Sequence, residues 1–105
     1  MASAPISVGS ASTATIVAAP GAGKFIRVLG YQIVPTSGTT PSVQWQDSNG
    51  PTALTGVMVA SIGNDINPGY ATDGWFDVSV NGALNLVVGG TTPVVAGHVR
   101  YEIKG

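Results

Sequence analysis

One stretch constrains this chain more than any other, the run from Lys24 to Pro35. Phe25, Ile26, Val28, Leu29, Tyr31, Ile33 and Val34 place branched or aromatic side chains at most of its positions, which favours extended backbone. Ile26, Val28, Gly30 and Val34 form one register, and Phe25, Leu29, Tyr31 and Ile33 the other; both are largely apolar. A strand that is apolar on both faces must be covered on both. It is therefore expected centrally in a sheet, with one face able to contact another subunit. Lys24 and Pro35 are expected to close its ends.

The rest of the chain reads as further strands separated by turns. Short runs around Ile6 to Val8 and Thr13 to Ala19 come first, and Pro20-Gly21-Ala22-Gly23 turns the chain into the central run. Thr36 to Pro41 reads as a loop. Ser42 to Gln46 alternates, with Val43 and Trp45 on one side and Ser42, Gln44 and Gln46 on the other. Asp47-Ser48-Asn49-Gly50-Pro51 is a turn cluster. A strand follows over Thr55 to Ser61, then a long irregular piece over Ile62 to Gly74. Trp75 to Val80 resumes the sheet. Asn81-Gly82 is the strongest short hairpin signal and should pair that strand with Ala83 to Val88. Gly89 to Pro93 turns again, and Val94 to Lys104 forms an amphipathic last strand.

Nowhere do the apolar residues follow a helical period over three turns. The expected class is all-β, an antiparallel two-sheet β-sandwich of about eight strands with jelly-roll topology. The 105 residues make one domain, with residues 1–10 as an N-terminal contact arm.

Charged residues are only 9% of the chain, against roughly 25% in ordinary soluble domains. A protein that works inside a symmetric assembly can carry less charge than a free monomer, which relies on charge to stay apart from its neighbours. The net charge of −1 gives no electrostatic footprint for nucleic acid or an anionic membrane. The first residues have no basic stretch followed by an apolar core, so no secretion signal is expected, and no apolar run approaches the roughly 18 residues that span a bilayer. Synthesis in the cytoplasm is expected.

Catalytic chemistry finds little to work with. The single histidine, His98, lies on the polar register of the last strand and reads as a surface or interface imidazole. There is no cysteine and no serine in a nucleophile-elbow setting. Asp47, Asp65 and Asp73 stand in turns and loops, where a carboxylate caps backbone N–H groups. Asp47 to Gly50 and Asn64 to Asn67 gather oxygen atoms, but neither has the carboxylates or length of a calcium loop. No enzyme activity, cofactor or metal is expected. Among the aromatic residues, Trp45, Tyr70 and Trp75 could form a platform for stacking a sugar ring; Trp45 reads more simply as a core residue.

Five segments then carry a resemblance: Gly23 to Tyr31, Ala53 to Gly56, Gly74 to Phe76, Gly82 to Leu86 and Gly97 to Tyr101. Together they resemble small β-sandwich structural proteins of tailed bacteriophages, such as capsid decoration (cement) proteins and related fibre and tail parts. The resemblance runs from about Ile6 to Ile103 and rests on glycines and apolar residues. It implies a virion protein on the capsid surface, clamping the major capsid protein and copies of itself, often as a homotrimer. It brings no catalytic residues with it. The alternative expectation is a carbohydrate-binding module or the receptor-binding part of a phage fibre. The expected partner contacts are Ala2, Pro5 and Ile6 in the N-terminal segment, with Asn64, Asp65, Ile66, Tyr70 and Trp75 in and beside the long loop. Neither segment shows an evident packing partner in the sequence.

Overall fold

The computed structural model describes Ala2–Gly105; Met1, the first residue of the expected arm, lies outside the described residues. Seven strands form: β1 Ala2–Val8, β2 Ser12–Val17, β3 Phe25–Asp47, β4 Thr52–Ala53, β5 Met58–Val59, β6 Phe76–Asp77 and β7 Leu84–Lys104. The protein is all-β, and every pairing is antiparallel. Hydrogen bonds join all seven strands into one sheet. β3 and β7 pair at its centre, β1 and β2 lie along the other side of β7, and β4, β5 and β6 lie along the other side of β3.

β3 and β7 are 23 and 21 residues long. At about 3.3 Å per residue a straight β3 would span roughly 75 Å, yet the longest dimension of the molecule is 40 Å. The ribbon therefore doubles over. Tyr31 and Trp45, on opposite halves of β3, show the same thing: their ring centroids are 5.4 Å apart, with the planes at 68°. Folding turns one face of the sheet inward. Ile6, Val8, Val17, Ile26, Val28, Tyr31, Ile33, Val43, Trp45, Val78, Leu84, Leu86, Val88, Val95 and Val99 form the core between its halves.

The fold line is built twice from one tetrapeptide, Gly38-Thr39-Thr40-Pro41 in β3 and Gly90-Thr91-Thr92-Pro93 in β7. Thr39 pairs with Thr91, so the two bends lie side by side. Gly38 and Thr40 have φ of 110° and 47°, and Gly90 and Thr92 have φ of 109° and 47°. A Cβ at Gly38 would stand 2.7 Å from Pro93 Cα, and one at Gly90 would stand 2.7 Å from Thr40 O. Only glycine allows the backbones to cross this closely. Thr40 and Thr92 are β-branched residues in the left-handed region, at a cost of order 1 kcal/mol each.

These features correct several expectations. Thr36 to Pro41 and Gly89 to Pro93 are not loops between strands but bends within β3 and β7. Pro35 does not end the central strand. A register shift lies between Pro35 and Ser37, and at such an irregularity a missing N–H is tolerated. The expected strands at Thr55 to Ser61 and Trp75 to Val80 shrink to β5 and β6. At Asn81-Gly82 the turn itself forms, with Asn81 at φ 57° and Gly82 N donating to Ser79 O at 2.9 Å. No hairpin follows from it, because β6 pairs with β3 while Leu84 to Val88 pair with β2 and β3.

The N-terminal arm is also corrected. Ala2 to Val8 pair residue by residue with Tyr101 to Val95 of β7, and Ile6 and Val8 are buried. The segment is the edge strand that closes one half of the core, so Ile6 is unavailable as a partner contact. Ala2 and Pro5 remain exposed. Accordingly, Ile6→Ala should lower stability by about 2–4 kcal/mol, and removing Ala2 to Val8 should unfold the domain. Urea denaturation checks both; a truncated chain that keeps a cooperative transition at the parent midpoint would contradict the assignment.

Candidate functional site

Alternation along paired strands assembles the floor of a cleft. Tyr31, Ile33 and Val99 face the core, so Gly30 and Gln32 of β3 and His98 and Arg100 of β7 face out. The register sets Gly30 opposite Arg100 and Gln32 opposite His98. Four residues distant in sequence thus share one patch of the outer face.

The wall is the long loop, and the edge of β3 holds it. Gly63 N donates to Pro35 O at 2.8 Å, and Ile66 exchanges two hydrogen bonds with Ile33, at 2.8 and 3.0 Å. Ala71 N donates to Leu29 O and Trp75 N to Val28 O, each at 2.8 Å. Between Ile66 and Ala71 the chain leaves the edge and rises over the outer face. A Cβ at Gly30 would stand 2.9 Å from Gly69 O, so only glycine lets the loop settle this low. The loop tip is fixed from within: Gly69 N donates to Asn67 Oδ1 at 2.8 Å and Trp75 Nε1 to Gly69 O at 2.9 Å.

Floor and wall enclose a cleft of about 220 Å³ lined by Gly30, Gln32, Asn67, Gly69, Tyr70, His98 and Arg100, with Tyr31 also at its edge. Tyr70 is 48% exposed. Gln32 Nε2 donates to Asp65 Oδ2 at 3.2 Å, which ties the floor to the loop. Arg100 and His98 are exposed and form no ion pair among the described residues.

The expected contact residues divide. Asn64, Asp65, Tyr70 and Trp75 are exposed on or beside the loop, and Tyr70 alone of them lines the cleft. Ile66 is half-buried against the core, where it anchors the loop. Trp45 is fully buried, a core residue as its simpler reading had it, and of the three aromatic residues only Tyr70 and Trp75 remain at the surface. The cleft residues not among the expected contacts are Gly30, Gln32, Asn67, Gly69, His98 and Arg100. Gln32 was the available signal, a polar residue inside a run of β-formers. Pairing it with His98 needs the register.

A second surface lies beside the bend. Val57, Val59 and Ile62 are 62%, 69% and 57% exposed. Val57 stands directly before β5, two residues from Val59. Val59 and Ile62 line a shallow hollow with Gly38, Thr40 and Pro41.

The oxygen-rich turn at Asp47 proves structural. Asp47 is 5% exposed, with Oδ1 accepting from Asn49 N at 2.9 Å and Oδ2 from Ser79 N at 2.8 Å. It pins the end of β3 to the segment before β7. No cluster of three or more His, Asp or Glu that could hold a metal exists among the described residues, and no helix there is long and apolar enough to cross a membrane. Comparison of the chain with protein-family models, curated proteins and solved structures gave no match.

Burial pushes the Asp47 carboxyl up, but hydrogen bonds from the Asn49 and Ser79 backbones and the Ser79 hydroxyl outweigh it and hold the group below its ordinary value. A lowered folded-state pKa means the unfolded chain binds the proton more tightly. The stabilisation is complete above the unfolded carboxylate range and is lost as pH falls through the folded value. Asp47→Asn should therefore cost about 1–3 kcal/mol at neutral pH and should flatten the decline in stability below about pH 4. Denaturant midpoints of both proteins across that range test this; parallel pH profiles would contradict it.

Proposed function

We propose that the chain is a structural virion protein, a decoration protein that binds the outside of a phage head and stabilises it. Its partners on this reading are the major capsid protein and copies of itself in a homotrimer. It works by contact and carries no reaction, and its place is the capsid surface of the virion.

The observation that carries this reading is the apolar surface of Val57, Val59 and Ile62 on a chain with 9% charged residues. Exposed apolar side chains close in sequence on a hydrogen-bonded edge, in a chain with little charge, favour burial against another protein. The backbone beneath is anchored: Met58 and Val59 pair with Val43 and Ser42, and Ala60 N donates to Pro41 O at 3.1 Å. A pre-formed surface loses little entropy on docking. Each copy that binds the expanded shell but not its dissociated subunits adds to the shell's stability by mass action. The resemblance of the core segments to phage sandwich proteins supports the same reading.

The experiment is reconstitution with undecorated heads. The parent protein should run as a trimer by light scattering, co-sediment with heads and raise their disruption temperature. The double variant Val59→Asp, Ile62→Asp should fold, because both side chains are exposed, and should lose at least about tenfold in head affinity. A parent that stays monomeric and does not co-sediment would overturn the reading, as would a double variant that decorates heads at parent occupancy.

A further inference from the structure

We infer that the cleft over Gly30 binds one carboxylate-bearing sugar residue of a glycan, a hexuronate or a sialic acid. The inference stands on the cleft alone, independent of the decoration role.

Size sets the first limit. About 220 Å³ falls below the roughly 300–1,000 Å³ of sites that take drug-sized ligands, so one ring fits rather than an oligosaccharide. The open mouth leaves the rest of a chain in solvent. Polar valences set the second. Gln32 commits Nε2 to Asp65, leaving Oε1 free to accept. Asn67 commits Oδ1 to Gly69 N, leaving Nδ2 free to donate. One acceptor in the floor and one donor in the wall suit the hydroxyls of a sugar ring placed between them. The half-exposed Tyr70 ring supplies an apolar face beside them.

Charge selects the class. Of the chain's four Lys and Arg residues, Arg27 is held by Asp77 at 2.8 Å and Lys104 by Glu102 at 3.2 Å. Arg100 has no ion-pair partner among the described residues and lines the cleft beside His98. A guanidinium presents paired donors that match a carboxylate. Asp65, the carboxylate bound to the floor, already accepts from Gln32 and is not among the lining residues. The site is also pre-organised: the Asn67–Gly69 and Trp75–Gly69 hydrogen bonds hold the wall in place before any ligand arrives.

Nitrogen-15 NMR titration of the full chain tests this, with methyl β-D-glucuronide and N-acetylneuraminate as acidic probes. Methyl β-D-glucoside and acetate are the controls. At least one acidic sugar should shift the amides of Gly30, Gln32, Gly69, Tyr70, His98 and Arg100. It should bind at least about tenfold more tightly than either control, the advantage of one charge-assisted contact. Arg100→Gln should abolish that preference while leaving the remaining spectrum in place, and Tyr70→Ala should weaken the acidic sugar and the glucoside alike. Three results would overturn the inference: no shifts at the cleft with either acid, glucoside or acetate binding as well as the acids, or an unchanged preference in Arg100→Gln. Head reconstitution with Arg100→Gln keeps the two readings separate, because decoration should be unaffected.

Discussion

Everything in this fold hangs on the antiparallel ladder between β3 and β7. It runs from Phe25 opposite Lys104 to Asp47 opposite Leu84, and every other strand pairs with one of these two. A flat ribbon of this length would leave one apolar face in water. Bending it across the paired Gly-Thr-Thr-Pro segments closes that face on itself, and the contact of Tyr31 with Trp45 follows. The strain at Thr40 and Thr92 is small beside the burial gained. Trp45, Leu84, Leu86, Ile26, Ile33, Val95 and Val99 are wholly buried, and each such side chain is worth about 1.5–3 kcal/mol. Local strain persists where surrounding packing over-determines it.

The second constraint is the outer edge of β3. An unpaired edge this long would template association with other chains. The segment from Thr52 to Asn81 follows it almost from end to end, pairing at Thr52–Ala53, Met58–Val59, Ile66 and Phe76–Asp77. Single hydrogen bonds fill in between, from Leu54, Ala60, Gly63, Ala71, Trp75, Val78 and Asn81. Arg27 adds a bidentate pair with Asp77, at 2.8 and 3.1 Å. Asp47 holds the same end of the segment, through Ser79, two residues beyond Asp77. The stretch is irregular in torsion but regular in purpose: it covers the edge and spends its excess length in excursions.

This explains which parts were legible in the sequence. Phe25 to Val34 reads as a central strand because composition and burial agree there. Ser42 to Gln46 reads correctly because its alternation matches a half-buried face. The bends were opaque, since Gly, Thr and Pro serve equally where a chain reverses and where it kinks within a strand. Only the partner strand decides, and that information is non-local. Ala2 to Val8 looked unpartnered because Ala, Ser and Pro have low strand propensity, yet Ile6 and Val8 alternate into the core and the pairing with β7 does the rest. Propensity yielded to tertiary context. The cleft was half legible: Tyr70 and the loop stand out in the sequence, but the adjacency of Gln32 with His98 and of Gly30 with Arg100 depends on a register shift between Val28 and Gly30. One residue less in that bulge would turn Gln32 inward and Tyr31 outward, exchanging the core contact with Trp45 for a solvent-exposed ring.

Both surface features belong to the edge-covering segment, and that shared origin has a physical consequence. Val57, Val59 and Ile62 sit where it passes the bend, and Asn67 to Tyr70 sit where it climbs over the outer face. Each excursion is tied down on both sides by hydrogen bonds to β3, so neither behaves as a free loop. Entropy that a mobile loop would lose on binding is already lost on folding. Contact with a partner is then decided by side-chain chemistry on a fixed backbone. Exposed valines at the bend favour an apolar surface, and Arg100 facing the loop favours an anionic one. Two surfaces of opposite character arise because one segment, in covering one strand edge, crosses first the fold line and then the polar face of the sheet.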